Sequence, residues 1–572
     1  MSAASGAPTF SGHIIVCGLG RVGYRLTLLL LRLGEKVVVI NQAAREDWLR
    51  AARAAGAEII TGDARSAATL ALAGLAHARA VIAATNHDVV NIETALDARQ
   101  QRPDLPIVVR LFDRDLGGML EERLGVRRAL GSSALAGPTL AYAAVGEEVL
   151  ATLTLGGRPF VVGRVRVEAR STLAGLTAAA TERQHQVVVL DEARDPATPL
   201  AAGDVVTLLG EQARFNALSG VTTPAAVASA AAATPPRATW SALRRSWSNA
   251  PAALRVMFLF LLVLICLSVL VFSFGMRLSL VDAIYYVVTT VTTTGYGDIT
   301  PKENGAFLKL YASLVMLIGS VTMAILYAFA TDFVVSERFR KVFGQPTVPK
   351  SGHKVVVGVG NVGYRVVDEL LAAGRAVVAV DLKIEGELAA ALRQRCSVVA
   401  GDGRVPATLE AANVAGAAAV VAATGDDAAN LAVGLHARRL APHARVVVRL
   451  FDPDLARKVE AGGLVDVALS PSRVAAPAFV AAALHEGVQA AFADETSLCV
   501  LATRRVPADC DGLSAAEVGR RLGARLVLVA RDATSSGAVQ DWTAPCAGPP
   551  GDAPLRAGQQ VLCALRQALP VG

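Results

Sequence analysis

Two strongly apolar stretches of the chain carry no charged residue: Val256 to Phe274 (VMFLFLLVLICLSVLVFSF) and Leu310 to Ala330 (LYASLVMLIGSVTMAILYAFA). Each is long enough to cross the roughly 30 Å hydrocarbon layer as a helix. Between them, residues 280–292 form a shorter apolar run that predicts a helix too short to span, and a polar, glycine-containing TTTGYGD follows it. Non-helical backbone at membrane depth is tolerated only where protein buries it or where it lines a wet cavity. The predicted order is therefore helix, re-entrant segment, helix. Elsewhere the pattern changes: short Val/Ile/Ala runs of strand length alternate with amphipathic helical segments, as parallel sheets covered on both faces require.

That alternating pattern occurs twice. HIIVCGLGRVGYRL at 13–26 matches HKVVVGVGNVGYRV at 353–366, Gly62-Asp63 matches Gly401-Asp402, AATNHDVVNI at 83–92 matches AATGDDAANL at 422–431, and VVRLFDRDL at 108–116 matches VVRLFDPDL at 447–455. Residues 13–140 and 353–480 are thus two copies of one domain, since the period is far too long for a solenoid. Each copy opens with a strand, a G-x-G-x-x-G loop and a helix, the signature of a Rossmann-type βαβ unit. The glycines are Gly18, Gly20 and Gly23, and then Gly358, Gly360 and Gly363. The first permits the tight turn, the second lets phosphates approach the backbone, and the third lets helix and strand pack closely. Phosphate would sit on the helix N-terminus, against Arg21 and Val22 or Asn361 and Val362.

The second strand of the later copy ends in Asp381-Leu382, where a carboxylate can accept hydrogen bonds from ribose hydroxyls. The earlier copy has Asn41 there, with Arg45 nearby to meet an extra phosphate, so the second copy is the better candidate for NAD, ADP or ATP. Arg110 and Arg449 end the RLFD strands at the carboxyl edge of each sheet, where ligands of open α/β sheets bind. An arginine fork there can hold phosphate, and a salt bridge to Asp113 or Asp452 is the alternative. Asp63 and Asp402 are candidates either to touch ligand or to cap the next helix, with capping preferred. Thr85 and Thr424, after the fourth strands, are similarly open.

Thr293-Thr294-Gly295-Tyr296-Gly297-Asp298 reads as a potassium selectivity filter, in which backbone carbonyls and a threonine hydroxyl replace the water around the ion. Gly295 and Gly297 permit the backbone angles this needs. Tyr285 and Tyr286 are placed to pack around the filter, with interfacial anchoring as their alternative. With its flanking spans, this segment resembles a two-helix potassium channel. The duplicated domains resemble the RCK domain that regulates potassium conductance, shared with the Trk-type potassium uptake regulators. That resemblance extends to a small C-terminal lobe after each copy, ending in PLAAGDVVTLLG at 199–210 and PLRAGQQVLCAL at 554–565. It implies α/β Rossmann-type domains, each with an α+β lobe, joined to an all-α pore domain and pairing into a cytoplasmic ring that pulls on the inner helices.

The expected boundaries are 1–144 and 145–220 for the two lobes of the first copy, and 221–253 for a linker and interfacial segment containing Trp240 and Trp247. The pore domain follows at 254–335, a linker at 336–351, and the lobes of the second copy at 352–483 and 484–572. Arg237, Arg244, Arg245 and Arg255 precede the first span, and Arg338, Arg340, Lys341 and Lys350 follow the second, whereas Arg277 and Lys302, with Lys309 at the edge of the second span, lie between them. Both ends are therefore expected in the cytoplasm, the spans in the lipid of the cell membrane, and Asp298 outside. Gly319, midway along the second span, is either a gating hinge or a small residue allowing close packing.

Composition adds limits. Of 572 residues, 53% are hydrophobic and 18% charged, and the net charge of +7 is arginine-dominated without a nucleic-acid signature. Seven cysteines are scattered without a CxxC pair, so neither zinc nor a disulfide framework is indicated. The first apolar stretch, broken by Gly18, Gly20 and Gly23, reads as strand and helix, not as a signal peptide. One filter segment cannot enclose a pore, so a homotetramer with eight RCK domains is required. The reading is a potassium-selective channel, with potassium at Thr293 to Tyr296, gated by a cytoplasmic ligand: NAD(H), ADP or ATP, with calcium also open. It is not an enzyme. A non-conducting regulator of potassium transport is one alternative, and a membrane-anchored NAD-dependent oxidoreductase another, for which the chain offers no convincing catalytic His, Lys or Tyr.

Overall fold

The computed structural model describes residues 10–191, 194–195, 197–219, 252–342, 348–383, 391–530, 542–543 and 554–570. The expected interfacial helix with Trp240 and Trp247 lies outside them. The chain divides into two compact units, one formed by residues 1–224 with 346–572 and the other by 225–345.

In the first unit, strands β1 (Ile14–Cys17), β2 (Val37–Asn41), β3 (Glu58–Thr61), β4 (Ala80–Ala83), β5 (Ile107–Arg110) and β6 (Arg128–Leu130) form a sheet in the order 3-2-1-4-5-6. All neighbours are parallel. A four-stranded antiparallel lobe follows, made of β7 (Glu148–Leu155), β8 (Arg158–Arg166), β9 (Val188–Val189) and β10 (Val205–Glu211). The later copy repeats the parallel sheet with β11 (Lys354–Val357), β12 (Val377–Asp381), β13 (Ser397–Ala400), β14 (Ala419–Ala422), β15 (Arg445–Arg449) and β16 (Val467–Leu469). Its own lobe has β17 (Val488–Ala493), β18 (Ser497–Arg505), β19 (Arg525–Ala530), β20 (Trp542–Thr543) and β21 (Gln560–Ala568). The central strands are apolar on both faces because helices cover both sides: Ile14 to Cys17 and Val355 to Val357 are all buried.

The two copies pair with each other inside one chain by exchanging their last helices. Helix Ser132–Ala143 of the first copy places Leu140, Ala141 and Ala143 in a core with Val356, Val366 and Leu370 of the second. Helix Pro471–Leu484 returns the arrangement, packing Ala475, Phe479 and Val480 on Ile14, Leu26 and Leu30. The approach is close. A Cβ on Gly137 would lie 2.7 Å from the Arg365 Cβ, so only glycine fits there without displacement. The antiparallel lobes also share a core, Leu153 and Phe160 with Leu501, Val527 and Leu562.

The second unit has a 24-residue helix Ala252–Gly275, a short helix Leu280–Val291 and a 37-residue helix Ala306–Val342. The two longer helices are long and apolar enough to cross a membrane. The last continues well past the uncharged run into the basic segment that the sequence reading assigned to a linker. Ser279 caps the short helix, its hydroxyl accepting from the Asp282 backbone N–H. Phe272, Ala283, Tyr286, Val287 and Val315 form the core between the three helices.

Candidate functional site

The filter segment leaves the short helix through two hydrogen bonds, from the Thr294 and Gly295 backbone N–H groups to the Thr289 carbonyl at 2.9 and 3.0 Å. Every second residue then has a left-handed backbone: Thr293 at φ +62°, Gly295 at +48° and Gly297 at +78°. Alternating the hand of successive residues turns consecutive carbonyls toward one side, whereas an extended strand points them to opposite sides. A Cβ on Gly295 or Gly297 would meet nothing within 4 Å, so what requires glycine there is backbone angle and not space. Tyr285 stacks on Tyr296 with ring planes 3° apart and is hydrogen-bonded to Asp298. Tyr286 does not face the filter. It is buried edge-on against Phe272, with ring centroids 4.9 Å apart. At Gly319 a Cβ would stand 3.2 Å from the Val291 Cα, which gives this glycine a packing role against the end of the short helix.

In the other unit, a cavity of about 760 Å³ opens at the carboxyl edge of the β11–β16 sheet. Gly358, Gly360, Asn361, Val362, Asp381, Leu382, Asp402, Thr424 and Arg449 all line it. The three glycines have separate reasons. Gly358 stands at φ +89°, and a Cβ there would crowd the Thr424 backbone at 2.7 Å; a Cβ on Gly363 would sit 1.8 Å from the Gly358 carbonyl oxygen. On Gly360 it would meet nothing within 4 Å, so the space above that residue is free for a ligand. Asp381 braces the loop: one carboxylate oxygen accepts from the Val359 N–H at 2.5 Å and the other from the Lys383 N–H at 2.9 Å. Exposed Leu382 beside it offers an apolar surface at the cavity wall.

The first copy contributes to this same cavity. Arg21, Val22, Asp88, Arg110 and Phe112 line it opposite the second copy's loop. Arg449 is largely buried; burial pushes its guanidinium down to about 10, and Arg21 and Arg110 add repulsion that Asp427 offsets. Burial likewise lowers Arg110, with Asp88 opposing. Asp88 accepts from the Phe112 N–H at 2.9 Å and Asp427 from the Phe451 N–H at 2.7 Å, while the other Asp427 oxygen pairs with Arg21 at 3.8 Å. Three guanidiniums held together in a partly desolvated cleft favour an anionic ligand.

Several expectations are corrected. Arg110 and Arg449 form no salt bridge with Asp113 or Asp452, whose side chains cap the following helices. The Arg110 guanidinium instead donates to the Thr85 carbonyl at 3.1 Å. Asp63 and Asp402 do not cap the helices that begin at Ala67 and Pro406. They bind Arg65 and Arg404 two residues on, at 2.8 and 2.7 Å, and these guanidiniums hold both carboxyls below their ordinary range. Arg45 pairs with Asp47 at 2.8 Å and lies over the Trp48 ring. Asn41 does for its loop what Asp381 does, accepting from the Leu19 N–H at 2.8 Å, and Gly18, Gly20 and Gly23 keep the same loop.

Thr85 and Thr424 donate to Asn91 and Asn430, both at 2.7 Å. These two asparagines were missed by the sequence reading. Each is fully buried and donates from Nδ2 to the Arg110 or Arg449 carbonyl at 2.9 Å, fixing the arginine-bearing strand ends. Their signal was present in the aligned VVNI and AANL of the repeat. Among the described residues, no group of three or more His, Cys, Asp or Glu is placed to hold a metal ion.

The TrkA-N domain family model matches residues 14–131 and 354–471, and an ion channel model matches residues 258–336. The chain carries two TrkA-N domains and an ion-channel domain. It is similar to the probable potassium channel protein 2 of Methanocaldococcus jannaschii, 26% identical over 189 residues, covering 32% of this chain and 54% of that one. It is also similar to the voltage-gated potassium channel Kch of Escherichia coli, 26% identical over 200 residues, covering 34% and 47%. The chain spans about half the length of these curated relatives. Among solved structures, the GsuK RCK domain aligns with a TM-score of 0.52 at 17% identity, over 98% of this chain and 93% of that one. The GsuK channel bound to NAD aligns with a TM-score of 0.51 at 17% identity, over 97% and 77%. At such identities the likeness is one of fold: two TrkA-N Rossmann domains with their antiparallel lobes.

Proposed function

We propose that this protein is a potassium-selective channel of the cell membrane, a homotetramer gated by an adenine nucleotide held between the two RCK domains of each chain. The observation that carries the channel reading is the TTGYGD segment, with its alternating left-handed residues, between a short helix and a long apolar one. Four such segments around one axis make a filter. The basic residues flanking the two spans favour a cytoplasmic location for both ends of the chain.

Nucleotide gating is supported by the cavity's chemistry. The open face of Gly360 admits a diphosphate to the helix N-terminus, Asp381 stands where ribose hydroxyls would lie, and Arg21, Arg110 and Arg449 supply positive charge for the phosphates. Similarity to the NAD-bound GsuK channel agrees with this choice. Because both copies line the cavity, one nucleotide per chain means four per tetramer. Moving a gate from 1:99 to 99:1 takes about 5.5 kcal/mol, so each of four sites needs to prefer the favoured state by only about 1.4 kcal/mol.

The test is potassium flux from vesicles containing the purified protein, with and without NAD, NADH, ADP, ATP and calcium. Selective flux altered by one nucleotide is the expected result and names the effector. Nucleotide binding without flux under any condition would refute the channel and leave a non-conducting regulator. Flux altered by calcium alone would refute nucleotide gating.

A further inference from the structure

A second cleft, of about 540 Å³, lies between the antiparallel lobe of the first copy and the parallel sheet of the second. That volume is in the range of small-molecule sites. Its apolar lining comes from both copies and includes Val149, Leu150, Leu469 and Phe492, with Val205 47% exposed beside them. Its charged lining is four arginines, Arg164, Arg166, Arg445 and Arg473, against three carboxyls, Glu147, Glu148 and Glu460; Glu147 is buried and accepts from the Ser219 hydroxyl at 2.8 Å. Arg164 is paired with Glu148 at 2.8 Å, Arg445 donates to the Ala143 carbonyl at 2.6 Å, and Glu460 accepts from the Ala468 N–H at 2.5 Å. Two guanidiniums remain. Arg166 has one long bond, 3.5 Å to the Gly203 carbonyl, Arg473 has no hydrogen bond or ion pair among the described residues, and both residues are exposed.

An apolar hollow with two under-used guanidiniums matches a ligand that is apolar at one end and a multi-oxygen anion at the other. We propose that this cleft is a second ligand site, separate from the nucleotide cavity, for a small amphipathic anion whose oxyanion head is held by Arg166 and Arg473. The two cavities adjoin, since Ser470 lines both. The nucleotide reading is not needed for this site.

Phenyl phosphate is a soluble probe of that chemistry. Equilibrium dialysis of the full-length protein against phenyl phosphate, with ADP present at saturation, is expected to give one bound molecule per chain. Combining Arg166→Gln with Arg473→Gln should weaken it by about tenfold or more, as should Val205→Trp, which fills the hollow from its exposed rim. Inorganic phosphate, lacking the apolar body, should bind at least about tenfold more weakly. ADP affinity unchanged in the variants shows that the fold is intact. Absence of saturable binding, its complete displacement by ADP, or wild-type affinity in both variants would overturn the proposal. Should ADP fail to bind at all, the nucleotide reading falls, while the response of phenyl phosphate binding to the two variants still decides this one.

Discussion

Replacing Glu147 by glutamine should make the paired RCK domains more stable at alkaline pH and leave them nearly unchanged in acid. Glu147 lies in the turn after helix Ser132–Ala143, where the first copy's exchanged helix meets the second copy, and is 7% exposed. One carboxyl oxygen accepts from the Ser219 hydroxyl at 2.8 Å, and the other is buried with no partner. Burial pushes this carboxyl up to about 7, against 4.5 for an ordinary glutamate, although Ser219 and Arg375 pull the other way. A group whose folded pKa is raised in this way costs stability when it must ionise. Below pH 4.5 both states hold the proton and nothing is lost; between 4.5 and 7 the unfolded chain alone ionises, and stability falls as pH rises. The full loss, reached above pH 7, is at most about 3 kcal/mol. Glutamine keeps the acceptor for Ser219 and has no proton to lose. Urea unfolding of the full-length protein in detergent at pH 4.5 and 8, followed by tryptophan fluorescence, should show the two proteins level in acid and Glu147→Gln ahead by up to about 3 kcal/mol in base. Other titrating groups, including Glu182, are common to both and drop out of the difference. A wild-type pH dependence retained in the variant would refute the reasoning.

Gly363→Ala, whose Cβ would lie 1.8 Å from the Gly358 carbonyl oxygen, should displace the phosphate loop and abolish ADP binding by dialysis while nucleotide-independent potassium flux persists. Arg21→Gln should weaken ADP by about tenfold although Arg21 belongs to the first copy; unchanged affinity would dismiss the shared cavity. Gly295→Ala, with free space around it but φ +48°, forces a strain of roughly 1–2 kcal/mol onto the filter. Its reversal potentials should lose potassium selectivity while ADP binding is retained.

The features that could be read from the sequence are those encoded over short distances: uncharged runs of spanning length, the filter string, and the strand, glycine loop and helix found twice. Reading failed where the answer depended on residues far apart. Arg21 and Arg110 stand at positions that, within one copy, point to that copy's own ligand, yet both line the cavity beside the loop of the other. Nothing local announces this, because it follows from two exchanged helices more than 300 residues apart in the chain. Arg45 is a different case. Its partner Asp47 is two residues away, so this pairing was encoded locally.

The Asn41/Asp381 difference was read as a difference in ligand preference, and the structure separates two roles in it. Both side chains accept a hydrogen bond from the backbone N–H one residue past the first glycine, Leu19 or Val359, so amide and carboxylate brace the loop alike. Loop geometry is therefore not what distinguishes the copies. What the carboxylate adds is charge and a second acceptor oxygen, which takes the Lys383 N–H at 2.9 Å, and the charge is what a bound ribose would meet. Asp381→Ala would remove brace and recognition together, whereas Asp381→Asn keeps an acceptor for the Val359 N–H, as Asn41 does for Leu19, and removes the charge with the acceptor for Lys383. Asp381→Asn should weaken ADP by roughly tenfold with unfolding stability unchanged. If affinity were unchanged, the carboxylate would serve only as a brace, and the two copies would differ in the residues that face them across the pair.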